Sequence, residues 1–217
     1  MTEDDSLIEL SWDSVSLLDD SEPDKWVYSY CGDILNIEED DSRTKIGKFS
    51  AQYIDVGGAM NEGEPIFEIL DCHSSSLAEY FEPIFGDNAP NFSDTVEQIT
   101  KGNADGCNLL IIDRVEIIAE YRGKGIGLRI LSHMMVRFSM GAGIVALKAF
   151  PLQFELEQTN EDQTWHKLLS LESFENNVEV STTKLKDYYS RLGFKCLPAG
   201  DFMVFPTGEE IPWLFEK

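Results

Sequence analysis

The segment that decides the fold is "EYRGKGIGLRIL", residues 120–131, in which three glycines fall within five positions beside two cations. Directly before it, residues 107–118 are a near-continuous apolar run of the length of a buried strand, with two acids and one arginine embedded in it. Directly after it, apolar residues recur at every fourth position, which predicts the buried stripe of an amphipathic helix. Residues 144–150 are again apolar and predict a second buried strand. We therefore expect strand, helix and strand to be joined as a parallel crossover.

The rest of the chain predicts an α/β fold with a mixed sheet flanked by helices. Residues 25–37 and 44–57 are rich in aromatic and β-branched residues around an acidic turn, which predicts an antiparallel pair. A final hairpin is expected at 194–207. The expected helices span 64–85, from about Ser93 to Gly102, the surroundings of Trp165, and 181–194 with Ser181 as its cap.

The domain boundaries follow from composition. Residues 1–24 hold acids and serines around a few apolar positions and predict an acidic N-terminal arm, tied down by Trp12. Residues 25–217 show no internal repeat or long linker, so we expect one domain. Within it, residues 151–180 form an insertion between the second buried strand and the last helix.

Composition also limits the ligands. The chain has 40 acidic and 17 basic residues, a formal net charge of −23, so a nucleic acid would be repelled. No apolar run could cross a bilayer and the N-terminus is acidic, which predicts a cytoplasmic protein without a membrane partner. The four cysteines and three histidines lack metal-ligand spacing, so we expect no metal. The acidity either attracts a cationic molecule or only maintains solubility, and the oligomeric state is not indicated.

A bare glycine turn between a strand and a helix is suited to bind an anion. Glycine lets the backbone approach a ligand, and the first N–H groups of a helix lie unpaired at the positive end of its dipole. The spacing does not fit a P-loop, and a dinucleotide fingerprint would need glycine where Leu128 stands. The turn therefore predicts phosphate binding without identifying the ligand.

Two motifs resemble one known family. Arg122, Gly125 and Gly127 fill the pattern Arg/Gln-x-x-Gly-x-Gly/Ala, which resembles motif A of the GNAT superfamily of acyl-CoA-dependent N-acetyltransferases. Farther along, "YYSRLGF" (188–194) is similar to that family's later signature, Tyr-x-x-Leu-Gly-Phe, which begins here at Tyr189. The motifs occur in the family's order, and the resemblance covers about residues 107–205.

The resemblance implies a GNAT-like fold with an atypical N-terminal part and an enzyme that uses acetyl-CoA as cosubstrate. In that family the amides of the glycine turn hold the coenzyme A diphosphate, and two central strands splay apart to admit the pantetheine arm. The residues that this assigns to the cosubstrate are Ile117, Ile118, Arg122, Gly123, Lys124, Gly125, Ile126 and Gly127.

Three residues are candidates for the chemistry. By the resemblance, Tyr189 would protonate the departing thiolate. An amine with a pKa near 10.4 is protonated at neutral pH, so its nucleophilic form costs about 4–5 kcal/mol and a carboxylate is needed as base. Asp113 is the first candidate and Glu116 the second, the alternative for either being a solvated residue or a partner of Arg114.

The acceptor is not identified by the sequence beyond a small-molecule or protein primary amine, expected to be cationic. We expect it to attack directly in a ternary complex, because no cysteine lies at a motif position. Acids of the insertion could receive it (Glu155, Glu157, Glu161 and Asp162). The alternative function is a non-catalytic acidic interaction protein on the same fold that binds CoA, a basic protein partner, or both.

Overall fold

The computed structural model describes residues 7–15, 23–155, 163–198 and 200–212. Its strands are β1 (Leu7–Val15), β2 (Val27–Ile37), β3 (Arg43–Ile54), β4 (Asn108–Ile117), β5 (Ala142–Lys148), β6 (Lys195–Cys196) and β7 (Phe202–Pro206). Its helices are α1 (Val56–Glu62), α2 (Ile66–His73), α3 (Ser75–Ala78), α4 (Phe81–Ile84), α5 (Asp94–Thr100), α6 (Ile126–Phe138), α7 (Gln163–Leu169) and α8 (Val178–Ser190).

All seven strands form one sheet in the order β1-β2-β3-β4-β5-β7-β6. Only β4 and β5 pair in parallel, with α6 as their crossover, and the remaining pairs are antiparallel. The predicted fold class, a mixed α/β sheet flanked by helices, is confirmed. So are the first hairpin (β2 and β3), the final hairpin (β6 and β7) and the crossover around the glycine turn.

The predicted N-terminal arm is a strand where the structure describes it. All of residues 7–15 pair with β2, from Leu7 opposite Ile37 to Val15 opposite Ser29. The Trp12 ring meets Phe138 of α6 edge to face, with centroids 5.3 Å apart. Trp12 therefore contacts the domain as expected, and the rest of residues 1–24, except for the turn at 23–24, lies outside the described part.

The single long helix predicted at 64–85 is wrong. The segment forms α2, α3 and α4 because Ser74 adopts an extended conformation, with φ −169° and ψ 153°, and its side chain accepts the Leu77 N–H to start α3. Just before it, the predicted strand stops at Ile54, and Asp55 caps α1 by accepting the Gly58 N–H. Hydrophobic spacing alone could not show these breaks, since short helices bury the same apolar positions.

The sheet separates two hydrophobic cores. One face packs against α6, with Leu110, Ile112 and Val145 beneath it, and this core also receives Tyr188 and Tyr189 of α8. The other face packs against helices α1, α2 and α5 and the segment around α3 and α4. Residues 109–112 thus alternate between two buried faces, which explains why these four residues of β4 are all apolar.

Helix α8 begins earlier than predicted. Its cap is Asn177, whose side chain accepts the Val180 N–H, rather than Ser181. Ser181 instead lies in the first turn and donates its hydroxyl to the Glu175 carbonyl at 3.0 Å. The first turn of α8 is therefore tied to the preceding insertion.

Candidate functional site

Strands β4 and β5 separate at the end where the glycine turn begins. Their pairing runs from Asn108 opposite Ala142 to Ile111 opposite Ala146, whereas β4 continues on β3 as far as Ile117. One edge of β4 is therefore released from β5 over its last residues. This is the opening that the family resemblance led us to expect between two central strands.

Asp113 lies at an irregularity within this released stretch. The β3–β4 register shifts there, because Ser50 pairs with Arg114 while Ala51 pairs with Ile112, so that Asp113 is skipped. Such a bulge re-aims a side chain. The Asp113 carboxylate is exposed and accepts the Ser50 hydroxyl at 2.9 Å. It is therefore held in place and still open to solvent.

The turn between β4 and α6 takes its shape from two glycines. Gly123 has φ +77° and Gly125 has φ +79°, both in the left-handed region that disfavours side chains. A Cβ on either would meet no atom within 4 Å. Both glycines are thus required by backbone conformation, and the space beside them is open.

Most of the turn's amides have no internal partner. Gly125 occupies the N-cap position of α6 and supplies no side-chain cap, whereas α1, α3, α5 and α8 each have one. Within the described part of the chain, the N–H groups of Gly123, Gly125, Ile126 and Gly127 make no hydrogen bond. Four donors therefore lie at the positive end of α6, and their use by an anion stays a prediction.

Other amides nearby are already paired. Tyr121 donates to the Ile118 carbonyl at 3.1 Å and Arg122 to the Ala119 carbonyl at 3.2 Å, in the short turn before the glycines. Ile118 itself donates to Ile46 at 2.9 Å. The anion-binding surface therefore begins at Gly123.

Gly127 is required for a different reason from the other two. A Cβ there would lie 2.4 Å from the Tyr188 hydroxyl and 3.5 Å from Ile117 Cδ1. Burial raises the pKa of Tyr188, while the charge of Arg191 and, less strongly, the Leu128 amide oppose that rise. A side chain of α8 thus lies against the first turn of α6, a contact between residues far apart in sequence that the motif alone did not reveal.

The two cations of the turn also have protein partners. Arg122 donates its Nε to the Ile117 carbonyl at 2.7 Å and lies over the Phe174 ring, 4.6 Å from its centroid. Burial lowers the pKa of this guanidinium. The Lys124 ammonium lies 4.9 Å from the centroid of the Tyr121 ring. Arg122 therefore fastens the turn to the end of β4, and its predicted contact with a phosphate stays a prediction.

The Glu116 carboxylate is held by two other side chains of the protein. Its side chain is buried, 6% exposed, with one carboxylate oxygen 2.6 Å from Arg114 and the other 2.7 Å from the Trp165 indole nitrogen. Both oxygens therefore already have hydrogen-bond partners, and Glu116 would have to give up one of these bonds to accept a proton from an amine. Of the two candidate bases, Asp113 is the one exposed to solvent.

Tyr189 packs in the core that α8 shares with the sheet. Its ring meets Phe194 at 6.4 Å and Tyr188 at 5.7 Å, centroid to centroid. Burial, and secondarily Tyr188, raises the pKa of Tyr189 to about 12. Its hydroxyl therefore keeps its proton at neutral pH, as a proton donor must.

Sequence reasoning missed Tyr80. This phenol comes from the segment between α3 and α4, is 3% exposed, and meets Phe202 edge to face at 5.0 Å. Burial raises its pKa far above the ordinary value; the charges of Asp113 and Tyr189 add to the rise, and a hydrogen bond from the Lys148 amide opposes it. Tyr80 is thus within electrostatic range of both candidate catalytic groups, and no local pattern at residue 80 could have indicated this.

The insertion at 151–180 contacts the end of β4 through several side chains. Glu155 pairs with Arg114, Trp165 of α7 with Glu116, and Phe174 with Arg122. Lys48 of β3 also lies over the Trp165 ring, 4.7 Å from its centroid. Glu157, Glu161 and Asp162, predicted to receive an amine, lie outside the described residues. Glu155 is engaged with an arginine.

Two cavities lie among the described residues, and the smaller one touches Ile126 at the start of α6. A volume of about 50 Å³ lies between β1 and α6, lined partly by Ile8 and Ile126. A second, of about 500 Å³, lies beside the β6–β7 hairpin and carries three acids, Glu82, Asp87 and Asp94. Among the described residues, no cluster of histidine, cysteine and acids could hold a metal, and no helix is long and apolar enough to span a membrane.

Comparisons with known proteins do not show which family the chain belongs to. No protein-family model matches the chain, and no curated protein matches it. A crystal structure of a mutant of KacT is 14% identical, covering 84% of this chain and 72% of its own, with a TM-score of 0.39. A crystal structure of a KacTA–DNA complex is also 14% identical, covering 93% of each chain, with a TM-score of 0.39. At this identity and TM-score, neither structure bears on the activity or the partners of this chain.

Proposed function

We propose that the chain is a GNAT-type N-acyltransferase that moves an acetyl group from acetyl-CoA to a primary amine. The observation that carries the proposal is the set of unpaired amides from Gly123 to Gly127 at the start of α6, placed where β4 separates from β5. Backbone donors at a helix N-terminus suit a diphosphate. The adjoining strand gap suits an extended arm between the diphosphate and the thioester.

The open geometry of the turn supports this ligand. No atom lies within 4 Å of the positions that a Cβ would take on Gly123 or Gly125, so a phosphate can approach the backbone there. Ile117 and Ile118, at the end of β4, are the side chains expected to contact the arm. Acetyl-CoA would supply the thioester, and the residues of the chain would bind it, exclude water and move protons.

Asp113 and Tyr189 take the acid–base roles. The Asp113 carboxylate, held by Ser50 at 2.9 Å and exposed, would accept the proton of the attacking amine. Tyr189, whose pKa is raised to about 12, would donate a proton to the departing sulfur. Glu116 would act through structure, by keeping Arg114 and Trp165 in place.

The first test measures binding. CoA and acetyl-CoA at about a hundredfold excess over Kd should add about 2.7 kcal/mol of stability. For a chain of this size that is a rise in Tm of roughly 5–10 °C in a thermal-shift assay. ATP and NAD serve as nucleotide controls and should shift Tm less. An unchanged Tm with both CoA species would refute the proposed ligand.

The second test measures turnover as thiol release from acetyl-CoA with a panel of primary amines, polyamines and basic peptides. Asp113→Asn should lower kcat/KM by about 100-fold or more, the range of general base catalysis. Glu116→Gln is the matched control: it should lower stability and change turnover per folded molecule far less. The reverse ranking would make Glu116 the base. Acetyl-CoA binding without turnover on any amine would instead favour a non-catalytic interaction protein.

A further inference from the structure

Tyr188 is the residue next to the signature tyrosine, and its hydroxyl lies against Gly127 in the first turn of α6. A Cβ placed on Gly127 would come within 2.4 Å of that hydroxyl and 3.6 Å of the ring carbon that bears it. The Leu128 amide, the third N–H of α6, faces the same oxygen and lowers the pKa of this hydroxyl. First-turn N–H groups point out of the helix N-terminus, and Gly127, which this oxygen approaches, carries one of the unpaired N–H groups.

A tyrosine hydroxyl in this position can accept one hydrogen bond and donate another. A phenol oxygen can accept an N–H while its own proton remains available to a second acceptor. Because burial raises the pKa of Tyr188, the proton stays on the oxygen at neutral pH. The ring packs in the core between α8 and the sheet and meets Tyr189 at 5.7 Å, so the hydroxyl is held in place.

We propose that Tyr188 is part of the diphosphate site and donates its hydroxyl hydrogen to a phosphate oxygen held by the amides of Gly123 to Gly127. This rests on the function proposed above. The Tyr188 hydroxyl adds one donor to the backbone N–H groups of Gly123 to Gly127. It also explains why Gly127 must lack a side chain: a Cβ would displace the hydroxyl from the mouth of the helix.

The test compares the full-length protein with Tyr188→Phe, using CoA, dephospho-CoA and pantetheine as probes. Dephospho-CoA keeps the diphosphate and lacks the 3′-phosphate, and pantetheine lacks both. A hydrogen bond to a charged group contributes enough that its loss should weaken binding about 10- to 100-fold. We expect this loss for CoA and dephospho-CoA alike, measured by calorimetry, and the same weak affinity for pantetheine in both proteins. Tyr28→Phe, on the distant strand β2, is the matched control and should bind CoA as the wild type does.

Each outcome has a separate meaning. If wild-type protein fails to bind CoA, the proposed function fails and this inference fails with it. If wild type binds CoA and Tyr188→Phe binds it equally well, the inference alone is overturned. Tighter binding by Tyr188→Phe would show that the hydroxyl blocks the site, and an equal loss for pantetheine would show a structural role. Both results would also overturn it.

Discussion

Gly127→Ala, tested with and without the Tyr188 hydroxyl, probes the contact on which the diphosphate site depends. In the wild type, the added Cβ would lie 2.4 Å from the Tyr188 oxygen. After Tyr188→Phe, its closest neighbours would be Ile117 Cδ1 at 3.5 Å and the ring carbon at 3.6 Å, which are ordinary contacts. The same methyl group should therefore be harmful in one background and harmless in the other.

The magnitudes follow from two effects. Replacing a helical glycine by alanine stabilises the folded state by about 0.4–1 kcal/mol in either background, because the unfolded chain loses freedom. With Tyr188 present, the ring must shift, which costs about 1–3 kcal/mol as overpacking. In the wild-type background we expect a net loss of about 0.5–2.5 kcal/mol, a fall in Tm of roughly 1–10 °C. In the Tyr188→Phe background we expect a rise in Tm of roughly 1–4 °C.

The assay is a double-mutant cycle in which the free energy of unfolding is measured by urea denaturation for all four proteins. Gly123→Ala is the control in both backgrounds. Its φ of +77° strains any side chain by about 1–2 kcal/mol, and no neighbour lies near, so its effect should not depend on Tyr188. A Gly127→Ala effect of the same sign and size in both backgrounds would refute the contact.

Three further outcomes are expected. Trp165→Phe removes the 2.7 Å hydrogen bond to the buried Glu116 carboxylate and should lower the free energy of unfolding by about 1.5–3 kcal/mol, measured by urea denaturation. Asn177→Ala removes the cap on the Val180 N–H and should cost about 1 kcal/mol, seen as a lower Tm. Because the pKa of Tyr189 is about 12 when folded and 10.0 otherwise, its contribution to stability should be constant below pH 10 and fall as pH rises from 10 towards 12. The difference in Tm between wild type and Tyr189→Phe, followed over that range, checks this, and a difference that does not change with pH would contradict it.

The central part of the fold could be predicted because its signals are local. The apolar run of β4, the glycine turn and the four-residue spacing of α6 each depend on neighbours in sequence, and the structure confirms all three elements. The caps behave likewise where one side chain decides them, as Ser93 does for α5. At Ser181 the same logic was wrong, because Asn177, four residues earlier, offers an equivalent side chain.

The rest of the candidate site could not be predicted because its contacts are distant in sequence. Tyr188 reaches Gly127, Trp165 reaches Glu116, and Tyr80 comes from a segment without a recognisable motif. A periodic pattern shows that a residue is buried but does not show which residue it meets. The same limitation applies to α2–α4, where one hydrophobic pattern fits a long helix and three short ones equally well.

Helix α8 connects the two halves of the proposed site. Adjacent residues on a helix point about 100° apart, so Tyr188 and Tyr189 face different neighbours although they follow each other in the chain. Tyr188 lies against Gly127 at the anion-binding turn, and Tyr189 lies within electrostatic range of Tyr80 on the opposite face of the sheet. Both rings pack in the core that α8 shares with the sheet. In the proposed function, diphosphate binding by Tyr188 and proton donation by Tyr189 would therefore depend on the same helix.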